Sequence, residues 1–486
     1  MYTWVPLKSS ADLARLEQIL APEYNPRAVS QKLMNGLSNA IKAVMVEENY
    51  IDKDYRSTFY NFYSKKGLHY LSECVRLHFF DEMVGFEEAT LRLTWPDQRL
   101  EDHYFGYMVL RPTGIATIGR SILSPDVRNG ARGLMITAHH KVHLLGYKLK
   151  VQGFPSMDQH IDISVCAHAA CWSILRHYSE RYNVYREFLT HDITMMAQEF
   201  NPGGIVPSRG LHISHAERVF QEAGTFPVHV AREMRNRDDH AFYRQLIAYL
   251  ESGFPLFAAI HNRGHAIAVV GLEWKKSNAP ATTGMQYAWD AVDSLAVVDD
   301  NHLPYLSIPV ETGTPYAAKD IDAFIVALPE KVYYPADAVD QLAPTLFKLG
   351  TVIDLPTQDE TIIRYFITTG SAFRAFVRER QSEFDPKLLQ TIMSLPFAQF
   401  IWIVEFATEA DWAAGQISAR AVIDATASLR ERWPFWLFHS RKKALVLNRK
   451  SVAQDVTTGM GTLLLADTGH TAFTRMAQNL RHTQTK

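Results

Sequence analysis

The chain has 486 residues, 47% of them hydrophobic and 21% charged, ordinary values for a globular protein with room for about two to four cores. A formal net charge of −2 excludes the strongly basic surface that nucleic-acid or anionic-membrane binding relies on. Three cysteines, Cys74, Cys166 and Cys171, exclude a disulfide framework and fit a reducing compartment. No apolar run reaches the roughly 18 residues a membrane helix needs, and the N-terminus lacks a basic start followed by an apolar stretch. A cytoplasmic protein without a membrane span is expected.

Residues 1–85 read as mainly helical at first, with apolar positions at helical spacing over 11–20 behind the capping residues Ser9 and Ser10. Short β-rich runs follow over 91–95, 107–111, 134–138 and 147–151, separated by Gly and Pro. A helix is expected over 165–182, a second over 214–223 closed by Gly224, and a third over 238–251 stopped by Gly253 and Pro255. Strands then crowd together at 256–260, 265–271, 295–299 and 323–328. Helices first and strands afterwards predict an α+β unit with an antiparallel sheet, not a doubly wound parallel one. Farther on, strands are expected near 400–407 and 421–426 and helices at 371–380 and 472–480. No chemistry motif appears there, and a scaffold or recognition role is expected. Three regions result: an N-terminal α+β region over 1–152, a catalytic region over 153–330 and a C-terminal α+β region over 331–486.

The chemistry concentrates in the middle region. Cys166 opens the helix of 165–182, where unsatisfied N–H groups and the positive end of the helix dipole favour a thiolate. Cys171 lies five residues on, about 140° round the helix, so the two thiols cannot share a face. Either cysteine alone would ordinarily be a small buried hydrophobe. His265 begins an apolar strand directly after Gly264, where a ring can reach a groove between helix and sheet. His261 is a rival in the turn before it, but the rigid strand is the better mount. Asp299 and Asp300 close the strand of 295–299. A carboxylate there can hold the imidazole tautomer and stabilise the imidazolium. Neighbouring residues at a strand end point to opposite faces, so one of the pair, Asp299, is expected at the ring. Gln159 can supply an oxyanion-binding amide beside the Cys166 N–H.

Gln159, Cys166, Ala169-Ala170, Ile174-Leu175, Tyr178, Gly253-Phe254-Pro255, His265 through Gly271 and Asp299 together resemble the papain-like cysteine peptidase superfamily. Within it they are most similar to the bacteriocin-processing peptidases of ABC exporters and their stand-alone relatives. The resemblance covers only the middle region. Two features depart from the pattern: alanine follows Cys166 where the family usually carries glycine, and the Gln-to-Cys spacing is one residue longer than is common. Cys171-Trp172 offers a rival alignment to the nucleophile of papain itself. The resemblance implies a papain-like central domain and a thiol-dependent hydrolase of a peptide or isopeptide bond. Cys166 is then the nucleophile, His265 the base and acid, Asp299 the orienting acid and Gln159 the oxyanion donor. The implied partner is a peptide or protein substrate; no metal or organic cofactor is expected, and the oligomeric state stays open. Acyl transfer of a transglutaminase-like or ubiquitin-like-deconjugating kind, and a catalytically silent binding protein, are the alternatives.

Other motifs carry less. His139, His140 and His143 lack the partner motif of a zinc site. The Gly- and Pro-rich loop at 201–210 suits a cleft border.

Overall fold

In the computed structural model the described residues are 1–7, 9–159, 166–197, 211–233, 236–275, 285–347, 349, 353, 355, 361–431, 433–447, 460–476 and 480–482. The loop at 201–210 lies outside them. The fold is α+β, built on three largely antiparallel sheets. Among the described residues no helix is long and apolar enough to cross a membrane.

The first sheet holds seven strands, with Tyr2–Pro6, Ala43–Tyr50, Cys74–Phe80, Tyr104–Leu110, Ile118–Leu123, Tyr147–Ser156 and Ala138–Leu144 side by side in that order. Three of these strands fall within 1–85, where helix was expected. Cys74–Phe80 and the first half of Ala43–Tyr50 are buried in continuous runs, which leave no two-residue alternation to read, whereas Tyr2–Pro6 is mostly half-buried with Val5 alone buried. The helices Ser10–Ile19 and Pro26–Gly36 pack against each other and cover one face through Leu16, Val29 and Leu33. Ser9 caps the first helix, accepting from the Asp12 N–H as the capping pattern implies. The expected strand at 91–95 is reduced to Arg92–Leu93.

The central sheet orders Phe226–Ala231, Ala323–Leu328, Leu256–Ile260, His265–Trp274, Val292–Val298 and Leu306–Pro309. The helix Cys166–Arg181 packs on it and is buried on nearly every side, with Trp172, Ile174, Leu175 and Tyr178 inaccessible. Its far side meets the first sheet's unit: Trp172 Nε1 donates to Asp54 Oδ1 at 3.0 Å, and Glu187, which pairs with Arg176, also meets Arg120 at 3.7 Å. Leu134–Met135 pairs with His265–Trp274 at Gly271, and Arg481–His482 pairs with Leu134–Met135 in turn. A Cβ on Gly271 would lie 2.4 Å from the Leu134 carbonyl oxygen, so only glycine admits this approach. The strand Tyr147–Ser156 runs through residue 152, joining the first two regions.

The third sheet orders Gln286–Tyr287, Thr361–Thr369, Phe400–Thr408, Ala419–Asp424, Phe435–His439, Lys443–Leu447 and Met460–Leu464, its first pair being parallel. The strands near 400 and 421 and the helix Gly370–Glu379 fall where expected. Residues 472–476, the described start of the helix expected at 472–480, are not helical: Phe473–Thr474 is a strand paired with Gln416–Ile417, and the segment docks through buried Phe473 and Met476. One apolar core holds Trp172 and Phe257 of the middle region together with Trp402 and Phe438 of the last. A buried ionic chain reinforces the join: Arg364 meets Glu251 at 2.9 Å and Glu405 at 2.6 Å, and Arg420 meets Glu405 at 2.7 Å.

Candidate active site

The strand His265–Trp274 presents its first residue at the mouth of a groove. Gly264 makes this possible: it sits at φ +57° and ends the tight turn His261–Arg263, so the chain reverses and re-enters the sheet at His265, opposite Ile260. Ala268 faces Val298 on the next strand. Asp299 is the first residue past that strand, which brings its carboxylate beside the ring.

The His265 ring lies between an acid and a thiol. Its Nε2 is 3.1 Å from Asp299 Oδ1, and Cys166 lies near enough on the cleft wall to favour the charged ring. The contact with Asp299 is bent away from aligned hydrogen-bond geometry, as catalytic contacts in unliganded sites often are. Cys166, at the start of its helix, is partly exposed, whereas Cys171 is completely buried. The two thiols therefore part as the helical spacing implies, one to a cleft and one to the core. Burial pushes the Cys171 thiol well above its ordinary range.

Asp299 is fixed on both oxygens. Oδ1 accepts from the backbone and side-chain nitrogens of Asn301 at 2.9 and 3.1 Å, and Oδ2 accepts from the Tyr316 hydroxyl at 2.7 Å. Burial works against its ionisation, but the His265 contact and these donors outweigh it and hold the carboxyl below the usual range. For His265, burial opposes the charged ring, yet its contacts with Asp299 and Cys166 prevail and raise it to about 10.

Asp300 does not turn away. Its Oδ1 lies 3.8 Å from His265 Nε2, and its side chain is as buried as that of Asp299. The strand ends at Val298, so two-residue alternation no longer governs the next pair of side chains. Burial, and then the Asp299 charge, push Asp300 up to about 7. His265, Asp299 and Asp300 offer ligand atoms within 4.8 Å of one another and, among the described residues, form the one group able to hold a metal ion. The His139–His143 stretch does not form such a group: it lies on a strand whose side chains alternate between buried and exposed.

A cleft of 620 Å³ opens over these groups. Gln159, Cys166 and His265 line it, with His212, His215 and His261 around them and Phe257 and Ile260 as apolar wall. His261, the rival histidine, is exposed at the rim. All four sequence-expected residues thus gather at one place, three on the cleft wall and Asp299 behind the ring. Asn301, Tyr316 and Lys32 were not anticipated. The Asp-Asp-Asn run signals a turn that could have revealed Asn301; nothing local points to Tyr316 or Lys32.

No known protein family, curated protein or solved structure matches the chain.

Proposed function

We propose that the protein is a thiol-dependent hydrolase of a peptide or isopeptide bond, with a papain-like catalytic unit. The observation that carries this reading is the His265 ring held between Cys166 and a doubly anchored Asp299 at an open cleft. Cys166 sulfur attacks the scissile carbonyl carbon, and the carbonyl electron pair moves onto oxygen. Gln159 and the Cys166 N–H stabilise that oxyanion. His265, charged beside the thiolate, gives its proton to the leaving nitrogen as the C–N bond breaks. Water then attacks the thioester carbon and gives a proton to His265; the C–S bond breaks with its electron pair returning to Cys166 sulfur, and the acid leaves. Asp299 keeps Nε2 engaged throughout, so that the other ring nitrogen faces sulfur.

The experiment is site-resolved acylation. p-Nitrophenyl acetate should acetylate Cys166 with release of nitrophenolate, read by peptide mapping, and EDTA should leave the rate unchanged. Acetylation of Cys166 no faster than a free thiol would sink the reading, and loss of acylation in EDTA would favour a cation at His265, Asp299 and Asp300. Mass spectra with an added amine separate release by water from transfer.

A further inference from the structure

We propose that Lys32, on the helix Pro26–Gly36 of the first sheet's unit, is a positioning residue of the thiol site. It rests on the roles assigned above to Gln159 and Asp299. Its ammonium lies 2.5 Å from Asp158 Oδ1 and 2.9 Å from the carbonyl oxygen of Asp300. Asp158 precedes Gln159, and Asp300 follows Asp299. One cation therefore ties the segment bearing the oxyanion donor to the turn bearing the orienting acid, neither of which belongs to the cysteine helix.

The two anchored segments are otherwise held by the same unit. The Asp158 N–H donates to the Ile118 carbonyl at 2.9 Å, and its carbonyl accepts from Arg111 Nη2 at 3.1 Å. Beyond Asp300, Leu303 is buried in the apolar core of the first unit, and its carbonyl accepts from Arg128 Nη1 at 3.1 Å. Tyr305 donates to the Leu123 carbonyl at 2.8 Å and accepts from the Phe154 N–H at 2.6 Å. Lys32 is the point where the two sets of anchors meet. Lys32 and Asp158 are each only 15% exposed, so the pair has little water to replace a lost partner. An ammonium has three donors, and two are spent on this bridge. Shifts of about 1 Å at supporting residues can cost on the order of a hundredfold in rate, which sets the scale for losing the bridge.

Two reagents separate positioning from mere stability. Acylation of Cys166 by p-nitrophenyl acetate passes through an oxyanion; alkylation by iodoacetamide is a displacement at carbon and does not. Lys32→Met in the full chain should lower the acylation-to-alkylation ratio by about 10- to 100-fold. General loosening would lower both rates alike, and an unchanged ratio overturns the proposal. The same question is asked from the other end, so that a Lys32 variant that fails to fold does not end the test. Asp158→Asn keeps an acceptor for Lys32 and should stay near the wild-type ratio. Asp158→Ala removes it and should fall at least about tenfold; equal ratios for the two overturn the proposal. A wild-type chain that is not acylated at Cys166 overturns the hydrolase reading together with this one, whereas normal wild-type acylation with an unchanged ratio overturns the Lys32 role alone.

Discussion

Replacing Asp299 with asparagine should strip His265 of its nearer counter-charge, leaving Asp300 at 3.8 Å, while keeping the side chain's shape. In the native site the ring stays protonated to about 10 against an ordinary value of 6.5. An opposite charge in contact moves such a value by about 1–3, and with Asp300 still 3.8 Å from the ring the loss of the 3.1 Å contact belongs in the middle of that range, about 2. His265 should therefore fall to about 8, a loss of about 2.7 kcal/mol of preference for the charged ring. The assay compares alkylation of Cys166 by iodoacetate and iodoacetamide across the pH range. An imidazolium beside the sulfur attracts the anionic reagent, so the rate ratio falls when His265 loses its proton. The wild-type midpoint should lie near 10, and the Asp299→Asn midpoint about 2 pH units lower. Stability should follow with the same sign. A histidine held above its ordinary value adds stability that is complete below pH 6.5 and vanishes as the pH rises through about 10. The variant should show a smaller loss over that window. A midpoint unmoved by the substitution would refute the claim that Asp299 holds the ring.

The remaining expectations are simpler. Cys171→Ala should keep acylation of Cys166, because a fully buried thiol with its ionisation suppressed takes no part; faster iodoacetamide labelling of Cys171 than of Cys166 would restore the rival alignment. Asp300→Asn should raise the melting temperature more at about pH 8 than at about pH 5, since a carboxyl pushed up to about 7 costs stability as the pH rises from its ordinary value toward that point; a uniform shift would contradict its placement. Glu405→Ala leaves the guanidinium groups of Arg364 and Arg420 without a shared buried partner and should destabilise by about 3–5 kcal/mol in urea unfolding, with the iodoacetate preference of Cys166 intact without denaturant.

Cys166, His265 and Asp299 were legible because each sits at an element boundary that the chain marks locally. Gly264 announces the turn before His265, and the apolar run ending at Val298 points to Asp299. The opposite fates of Cys166 and Cys171 follow from helical spacing alone. What escaped was decided at long range. Asp300 looked like a solvent-facing neighbour because alternation was extended past the strand end. Tyr316 reaches Asp299 from seventeen residues away in the chain and Lys32 reaches Asp300 from 268, with no local pattern in either case. The strands at 43–50 and 74–80 were hidden differently: their continuous buried runs offer no polar alternation to set against a helical period, and the half-buried strand at 2–6 is too short to show one.

The turn that carries Asp299 is seated on the first sheet's unit through Leu303, Tyr305 and Lys32, and that unit precedes it in the chain. Synthesis is directional, so the seat exists before its occupant. At typical elongation rates, roughly ten seconds separate completion of the strand Tyr147–Ser156 from translation of Asp299. Asp299 is therefore made after every strand of the first sheet that its turn rests against, and Leu303 enters that unit's core only then.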